Sequence, residues 1–202
     1  MGMSESDGGY VLVLPGGKMR SDRRSRCWQL ANLRMTFFAA ALRRRLGPAV
    51  EVRRVQYRYR GWNSTRLDAL RDAEAVLDRA RDRFGAARIA VVGHSMGGRV
   101  AAHLAARRDV GTVVALAPWW AGKDGDLIPT SSRLLVVHGT ADTWTDPRAS
   151  RTQVDRAQQR GVDAQWVGFD GAGHYMVRQW GQWHRLASEF VAEQFAAANR
   201  DA

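Results

Sequence analysis

Cysteine, lysine and long apolar runs are scarce in this chain of 202 residues. The single cysteine, Cys27, excludes an internal disulfide, and we expect it to pack against a helix face. No apolar run approaches the roughly 20 residues that a membrane-spanning helix needs. Residues 1–9 are small and acidic-polar, unlike a secretory signal, so we expect a loose tail, a single domain over residues 10–202 and a cytoplasmic location.

Acidic residues are also in the minority, with 20 against 31 basic residues and a formal net charge of +11. Such a surplus raises the question of a nucleic-acid or other anionic partner. Only Lys18 and Lys123 are lysines, and the arginines are spread along every segment without a nucleic-acid-binding motif. We therefore do not expect specific nucleic-acid binding, and the basic surface favours an acidic carrier or an anionic substrate.

Short apolar runs alternate with segments of helical spacing along the whole chain. The predicted strands are 10–14, 50–59, 88–92, 112–116, 134–137 and 164–169. The first predicted helix is capped by Ser21 or Asp22 and runs to about Leu46. The other predicted helices are 65–84, 98–107, 148–160 and 178–198. The first helix is expected to bury Leu30, Leu33, Phe37, Phe38, Ala41 and Leu42.

This alternation predicts an α/β fold. We expect a doubly wound, three-layer sandwich of about six mostly parallel strands with helices on both faces. The second strand alternates apolar residues with arginines, which is typical of an edge strand. In such sheets ligands bind beyond the carboxyl ends of the strands, so the loops that follow the strands are the candidates for function.

Three of those loops carry residues suited to nucleophilic catalysis. Ser95 follows the third strand in the pattern Gly93-His94-Ser95-Met96-Gly97, Asp142 follows the fifth strand and His174 the sixth. A serine hydroxyl needs a base to remove its proton, and an acid to orient that base. His174 is the candidate base and Asp142 the candidate acid, with Asp146, Asp124 and Asp126 as rival acids.

In these motifs, and in their order along the chain, the sequence resembles the α/β-hydrolase family. The resemblance rests on G-x-S-x-G at 93–97, His138-Gly139-x-x-Asp142 and Gly173-His174, and spans about 11–195. It implies a small bacterial-type serine hydrolase that cleaves a carboxylic ester or thioester through an acyl-enzyme, without a cofactor or metal. Compared with the family, we expect the N-terminal hairpin and the cap to be absent.

Other functions remain open on this family's fold. An acyltransferase, or a lyase or cyclase of a biosynthetic pathway, would use the same triad. A non-catalytic ligand-binding relative is the third alternative, although such proteins normally lose a triad member.

The resemblance also implies an oxyanion hole. The backbone N–H of Met96 is the first expected donor, and the second is Gly17 or Lys18, in a loop where Pro15-Gly16 replaces the family's common His-Gly pair. Aromatic residues in the strand-exit loops predict a substrate pocket with aromatic walls; they are Trp62, Trp119, Trp120, Trp144 and Tyr175. The alternative is that half of them only fill the core beneath the loops.

Overall fold

The computed structural model describes residues 8–200 of the chain. The strands are β1 (Gly9–Leu14), β2 (Val50–Arg54), β3 (Ile89–His94), β4 (Thr112–Leu116), β5 (Arg133–Gly139) and β6 (Asp163–Phe169). The helices are α1 (Leu30–Leu46), α2 (Asp68–Arg81), α3 (Met96–Arg107), α4 (Pro147–Gln159) and α5 (Trp180–Arg200).

The six strands form one sheet in the order β2-β1-β3-β4-β5-β6, and every neighbouring pair is parallel. The predicted fold class is thereby confirmed, with β2 at an edge. The chain turns from β1 outward to β2 and then returns to β3 on the other side of β1. The loops after β1 and β3 therefore diverge, which opens a crevice at their carboxyl ends.

Alternating side chains of the strands supply two hydrophobic cores. Tyr10, Leu12 and Leu14 of β1 face the layer formed by α2, α3 and α4. Val11 and Val13 face the layer formed by α1 and α5. Both faces of the sheet are thus covered, as the continuous apolar runs of its central strands require.

The beginning and the phase of α1 differ from the prediction. The helix begins at Leu30 because residues 18–24 pair with the segment after β2, through the bridges Lys18–Gly61 and Arg24–Tyr59. Its buried residues are Asn32, Met35, Phe38, Ala39 and Leu42. Leu30, Leu33 and Phe37 are exposed, so the prediction that they face the core was wrong.

Two smaller expectations concern the N-terminal part of the chain. Residues 1–7 of the expected tail lie outside the described residues, whereas Gly9 already belongs to β1 and pairs with Val50. Cys27 is exposed in the loop before α1 and does not pack against a helix face. Within residues 8–200, none of the helices combines the length and apolarity that crossing a bilayer requires.

Candidate active site

Ser95 occupies a strained turn between β3 and α3. Its backbone angles are φ 56° and ψ −117°, a region that costs a non-glycine residue energy. The turn is held by a hydrogen bond of 3.0 Å from the Ser95 N–H to the carbonyl of Leu116. A Cβ on Gly93 would lie 2.2 Å from the carbonyl oxygen of Gly97, and one on Gly97 would lie 2.1 Å from that of Leu14. Both glycines are therefore required by close backbone contacts.

The loop after β6 brings His174 to this serine. Its Nε2 lies 3.0 Å from Ser95 Oγ, and its Nδ1 lies 2.8 Å from Asp142 Oδ2. His94 of the turn holds the same loop, because its Nε2 is 2.9 Å from the backbone carbonyl of His174 and donates to it. Burial, together with the nearby His174, keeps the pKa of His94 well below its usual value. His94 is thus a neutral support of the histidine loop.

Asp142 is surrounded by hydrogen-bond donors. Its Oδ1 accepts the backbone N–H groups of Trp144 at 2.8 Å and Thr145 at 3.0 Å, and its Oδ2 accepts the Thr145 hydroxyl at 2.8 Å. His138 Nε2 lies 3.2 Å from Oδ2. Burial alone would raise the pKa of Asp142, but the hydrogen bonds from His138, His174 and Thr145 hold this pKa well below its usual value. The side chain is therefore a fixed carboxylate.

His138 has side-chain partners on both ring nitrogens. Its Nδ1 lies 2.8 Å from the Ser150 hydroxyl, which also receives the indole N–H of Trp166 at 3.0 Å. The same hydroxyl donates to the carbonyl of Pro147 at 2.9 Å, so Ser150 ties the ring of His138 to the first turn of α4. The motif His138-Gly139-x-x-Asp142 thus places a second histidine next to the carboxylate of Asp142.

The rival acids have other partners. Asp146 accepts a backbone N–H of the first turn of α4 at 2.8 Å and caps that helix. Asp124 pairs with an arginine of α3, and Asp126 pairs with an arginine of α4. Of the four candidates, Asp142 is the one in hydrogen-bond contact with His174.

The loop after β1 lies against the turn of Ser95. A Cβ on Gly17 would lie 2.4 Å from Met96 Cε and 2.5 Å from the carbonyl oxygen of Arg60. The N–H of Lys18 donates to that same carbonyl of Arg60 at 2.7 Å. Within residues 8–200, no protein acceptor takes the backbone N–H of Gly17 or of Met96. Of the two alternatives for the second oxyanion donor, Gly17 is the one with its N–H available.

A cleft of about 730 Å³ opens above these residues. Ser95, His174, Gly17 and Met96 form its floor together with Thr145. Its walls include three of the predicted aromatic residues, Trp119, Trp144 and Tyr175. Lining residues that the sequence interpretation missed are Met19, Leu30 and Tyr57. Leu30 was missed because the sequence analysis placed it on the buried face of the first helix.

Trp62 and Trp120 do not line the cleft, which corrects their predicted role in substrate binding. Trp62 is buried between elements, with its ring 5.0 Å from that of His103 and 4.8 Å from the guanidinium of Arg99. Trp120 is buried as well, and its indole N–H donates to the carbonyl of Gly98 at 3.1 Å. Both side chains point down from their loops to fill the core on the side of α3.

A strained serine after β3, an acid after β5 and a histidine after β6 of a parallel sheet are the arrangement of the α/β hydrolases. A family model described as "Alpha/beta hydrolase family" matches residues 11–130, which is more than half of the chain. The protein belongs to this family. A comparison with functionally curated proteins finds no significant match.

Solved structures show the same fold at low sequence identity. A protein of unknown function from Agrobacterium tumefaciens has a TM-score of 0.73 at 15% identity, with 95% of this chain and 87% of that chain covered. Est1E from Butyrivibrio proteoclasticus, solved with ferulic acid, has a TM-score of 0.69 at 17% identity, with 94% and 91% covered. A monoacylglycerol lipase from Paleococcus ferrophilus has a TM-score of 0.62 at 16% identity, with 92% and 95% covered.

Proposed function

We propose that this member of the α/β-hydrolase family is a serine hydrolase that cleaves a carboxylic ester or thioester through an acyl-enzyme intermediate. The observation that carries the proposal is the continuous line from Ser95 Oγ to His174 Nε2 at 3.0 Å and from His174 Nδ1 to Asp142 Oδ2 at 2.8 Å. Family membership supports hydrolase activity, and this line supports its mechanism.

The proton moves along this line. The carboxylate of Asp142 accepts the Nδ1 proton of His174, which leaves the lone pair of Nε2 facing the hydroxyl of Ser95. As Ser95 Oγ attacks the carbonyl carbon, Nε2 takes the hydroxyl proton. The same proton then passes to the leaving alcohol or thiol when the tetrahedral intermediate collapses to the acyl-enzyme. A water molecule repeats the cycle and releases the acid.

The negative charge of the intermediate develops on the former carbonyl oxygen. The N–H groups of Met96 and Gly17 are the two donors we assign to it, because no protein acceptor within residues 8–200 takes either of them. Met96 is also the first residue of α3, whose dipole favours negative charge at that end.

The walls of the cleft favour an apolar or aromatic group next to the reacting carbonyl. Trp119, Trp144 and Tyr175 offer aromatic faces, and Met19 and Leu30 add aliphatic contacts. The ferulic acid bound to Est1E, an enzyme of the same fold, makes aromatic esters the first class to examine. Trp144 and Tyr175 are exposed at the mouth, and an accessible site favours hydrolysis over acyl transfer, which requires that water be excluded.

Tyr57 also lines the cleft, with its hydroxyl oxygen buried. Burial raises the pKa of this phenol, so its hydroxyl stays protonated, and it has no hydrogen-bond partner within residues 8–200. Lys18 and Arg60 also line the cleft and favour an anionic substituent or an acidic carrier.

The test compares hydrolysis of nitrophenyl esters and acyl-coenzyme A thioesters by the wild type and by Ser95→Ala. The matched control is Ser64→Ala, an exposed serine in the loop before α2. We expect turnover to vanish in Ser95→Ala and to persist in Ser64→Ala. Full activity of Ser95→Ala, or no activity of the wild type toward any ester or thioester, would contradict the proposal. The ratio of the two substrate classes decides between esterase and thioesterase.

A further inference from the structure

Large apolar side chains that are exposed concentrate around the mouth of the cleft. Met19, Leu30, Trp144 and Tyr175 line the cleft and are 61%, 77%, 70% and 45% exposed. Further exposed apolar residues lie beside them, at Trp28, Leu33, Phe37 and Val177. We call the exposed apolar side chains of residues 19–37, together with Trp144, Tyr175 and Val177, the mouth patch. In the described part of the chain, Leu127 is the one large exposed apolar residue outside it.

The mouth patch is continuous across two parts of the structure. Leu30, Leu33 and Phe37 lie at helical spacing on the outer face of α1. Between them, Arg34 places its guanidinium 5.0 Å from the ring of Tyr175, in the loop that carries the histidine. Phe37 meets Trp180 at the start of α5 with ring centroids 6.0 Å apart. A contiguous exposed apolar surface of this kind marks a contact with another phase or molecule, unlike scattered single residues.

Positive charge is concentrated in the loop that carries the first residues of the mouth patch. The loop before α1 carries five exposed basic residues, Lys18, Arg20, Arg23, Arg24 and Arg26. Its one acidic residue, Asp22, is paired with Arg66. The loop is therefore strongly cationic, on a protein whose overall net charge is already +11.

We propose that the mouth patch docks this protein onto an anionic lipid surface. Trp28, Leu30 and Val177 enter the boundary between headgroups and acyl chains, and the basic residues of 18–26 lie among the headgroups. Apolar side chains that alternate with arginines are the composition of helices and loops that lie in such an interface. Docking places the cleft opening at the lipid, so that an ester dissolved there reaches the active site without crossing bulk water.

The charge distribution also argues against the other occupant considered, a second copy of this chain. In a two-fold dimer the same surface lies on both partners, so the cationic loop of one subunit would face that of the other. Like charges in contact are unfavourable, whereas phosphate headgroups complement them. An anionic lipid surface satisfies both the apolar and the basic parts of the mouth patch.

Co-sedimentation with vesicles tests the proposal directly. We expect the protein to bind vesicles of phosphatidylglycerol and phosphatidylcholine in equal parts, to bind pure phosphatidylcholine weakly, and to dissociate as salt is added. Leu30→Ser combined with Val177→Ser removes two exposed side chains and should lower the partition coefficient at least about tenfold. Leu127→Ser is the matched control and should leave it unchanged, since this residue lies outside the mouth patch.

A second pair of variants isolates the charge. Arg23→Gln with Arg24→Gln should lower binding at low ionic strength about 25-fold, at roughly a factor of five for each arginine near the surface. Arg71→Gln with Arg79→Gln removes the same charge from exposed positions of α2 and should have a much smaller effect. Equal losses from both pairs would show that net charge acts without a docking face, which overturns the proposal.

Cys27 allows the contact to be located. It is the single cysteine, is exposed and precedes Trp28, so an environment-sensitive fluorophore attached to it reports on the mouth patch. Its emission should shift to the blue on anionic vesicles, and not in the Leu30→Ser/Val177→Ser variant. Absence of wild-type binding to anionic vesicles at low salt refutes the proposal. So does a dimer that these variants convert to a monomer in analytical ultracentrifugation. Vesicle binding needs no turnover, so its failure leaves the proposed hydrolase activity untouched.

Discussion

Replacing Asp142 with asparagine tests the proposed triad while almost preserving the shape of the side chain. Oδ1 accepts the backbone N–H groups of Trp144 at 2.8 Å and Thr145 at 3.0 Å, so the asparagine must keep its oxygen there. Its NH₂ group then takes the position of Oδ2, 2.8 Å from His174 Nδ1. A donor at this position makes Nδ1 an acceptor and moves the ring proton to Nε2, which can no longer take the proton of Ser95.

The size of the effect follows from losing the base while keeping the fold. In serine proteases the wrong histidine tautomer lowers kcat about 10⁴-fold, equivalent to about 5.5 kcal/mol of activation free energy. We expect a loss of this order for Asp142→Asn. Stability should fall by only about 1–3 kcal/mol, because the two backbone hydrogen bonds to Oδ1 are retained and the donors to Oδ2 lose their acceptor.

The assay is steady-state hydrolysis of a nitrophenyl ester, together with the rate of labelling by a fluorophosphonate. Asp146→Asn is the matched control, because asparagine caps a helix as well as aspartate does and Asp146 serves α4. The control should keep the wild-type kcat. If Asp142→Asn also kept most of the wild-type kcat, the assignment of the acid and of the histidine tautomer would be refuted.

Three further changes have expected outcomes. Gly17→Ala should lower kcat about 10²–10³-fold, because the methyl group collides with the neighbouring carbonyl and displaces an oxyanion donor, whereas Gly181→Ala, with open space around its Cβ, should keep activity. Trp144→Ala should lower kcat/KM for aromatic esters without changing the unfolding free energy. Trp120→Phe should lower the unfolding free energy without changing kcat/KM, since the indole N–H of Trp120 is buried and hydrogen-bonded. The stability advantage of wild type over Asp142→Asn should be constant above about pH 4 and shrink below it.

The sign of this last prediction follows from the direction of the shift in pKa. The hydrogen bonds around Asp142 hold its pKa below the value of about 3.9 that it has in an unfolded chain. The ionised side chain therefore stabilises the fold above that value, and the contribution is lost as the pH falls toward the lower, folded pKa. An advantage that grew on acidification, measured by urea unfolding at several pH values, would contradict this assignment. Gly17 and Trp144 are assigned to activity and not to stability. Loss of activity in Gly17→Ala or Trp144→Ala that is matched by a loss of stability in melting curves would contradict these assignments.

The parallel sheet could be predicted because its determinants are local. Short β-branched runs alternate with helical periodicity, and this pattern leaves few topologies. The carboxyl ends of β3, β5 and β6 meet at one edge of the sheet, so Ser95, Asp142 and His174 could be expected near one another before any distance was known. The contacts of His138 could not be predicted, because they depend on α4 through Ser150.

The features that could not be predicted depend on contacts between distant parts of the chain. Residues 18–24 form bridges to residues 59–61, and these bridges replace the first turns of the expected helix and occupy the N–H of Lys18. The apolar residues of α1 lie on two faces of the helix, and both faces have helical spacing. Spacing alone therefore could not show that Leu30, Leu33 and Phe37 face outward. Similarly, Trp119 and Trp120 are neighbours in one loop, yet the first lines the cleft and the second fills the core.

The most direct test of the central claim is the site at which a fluorophosphonate reacts with the folded protein. Mass spectrometry of the digested, labelled protein should find the phosphonyl group on Ser95 alone. Labelling should be lost in His174→Ala, because Nε2 of this histidine faces Ser95 Oγ at 3.0 Å and removes its proton. Label on another serine, or undiminished labelling of Ser95 without His174, would contradict the account.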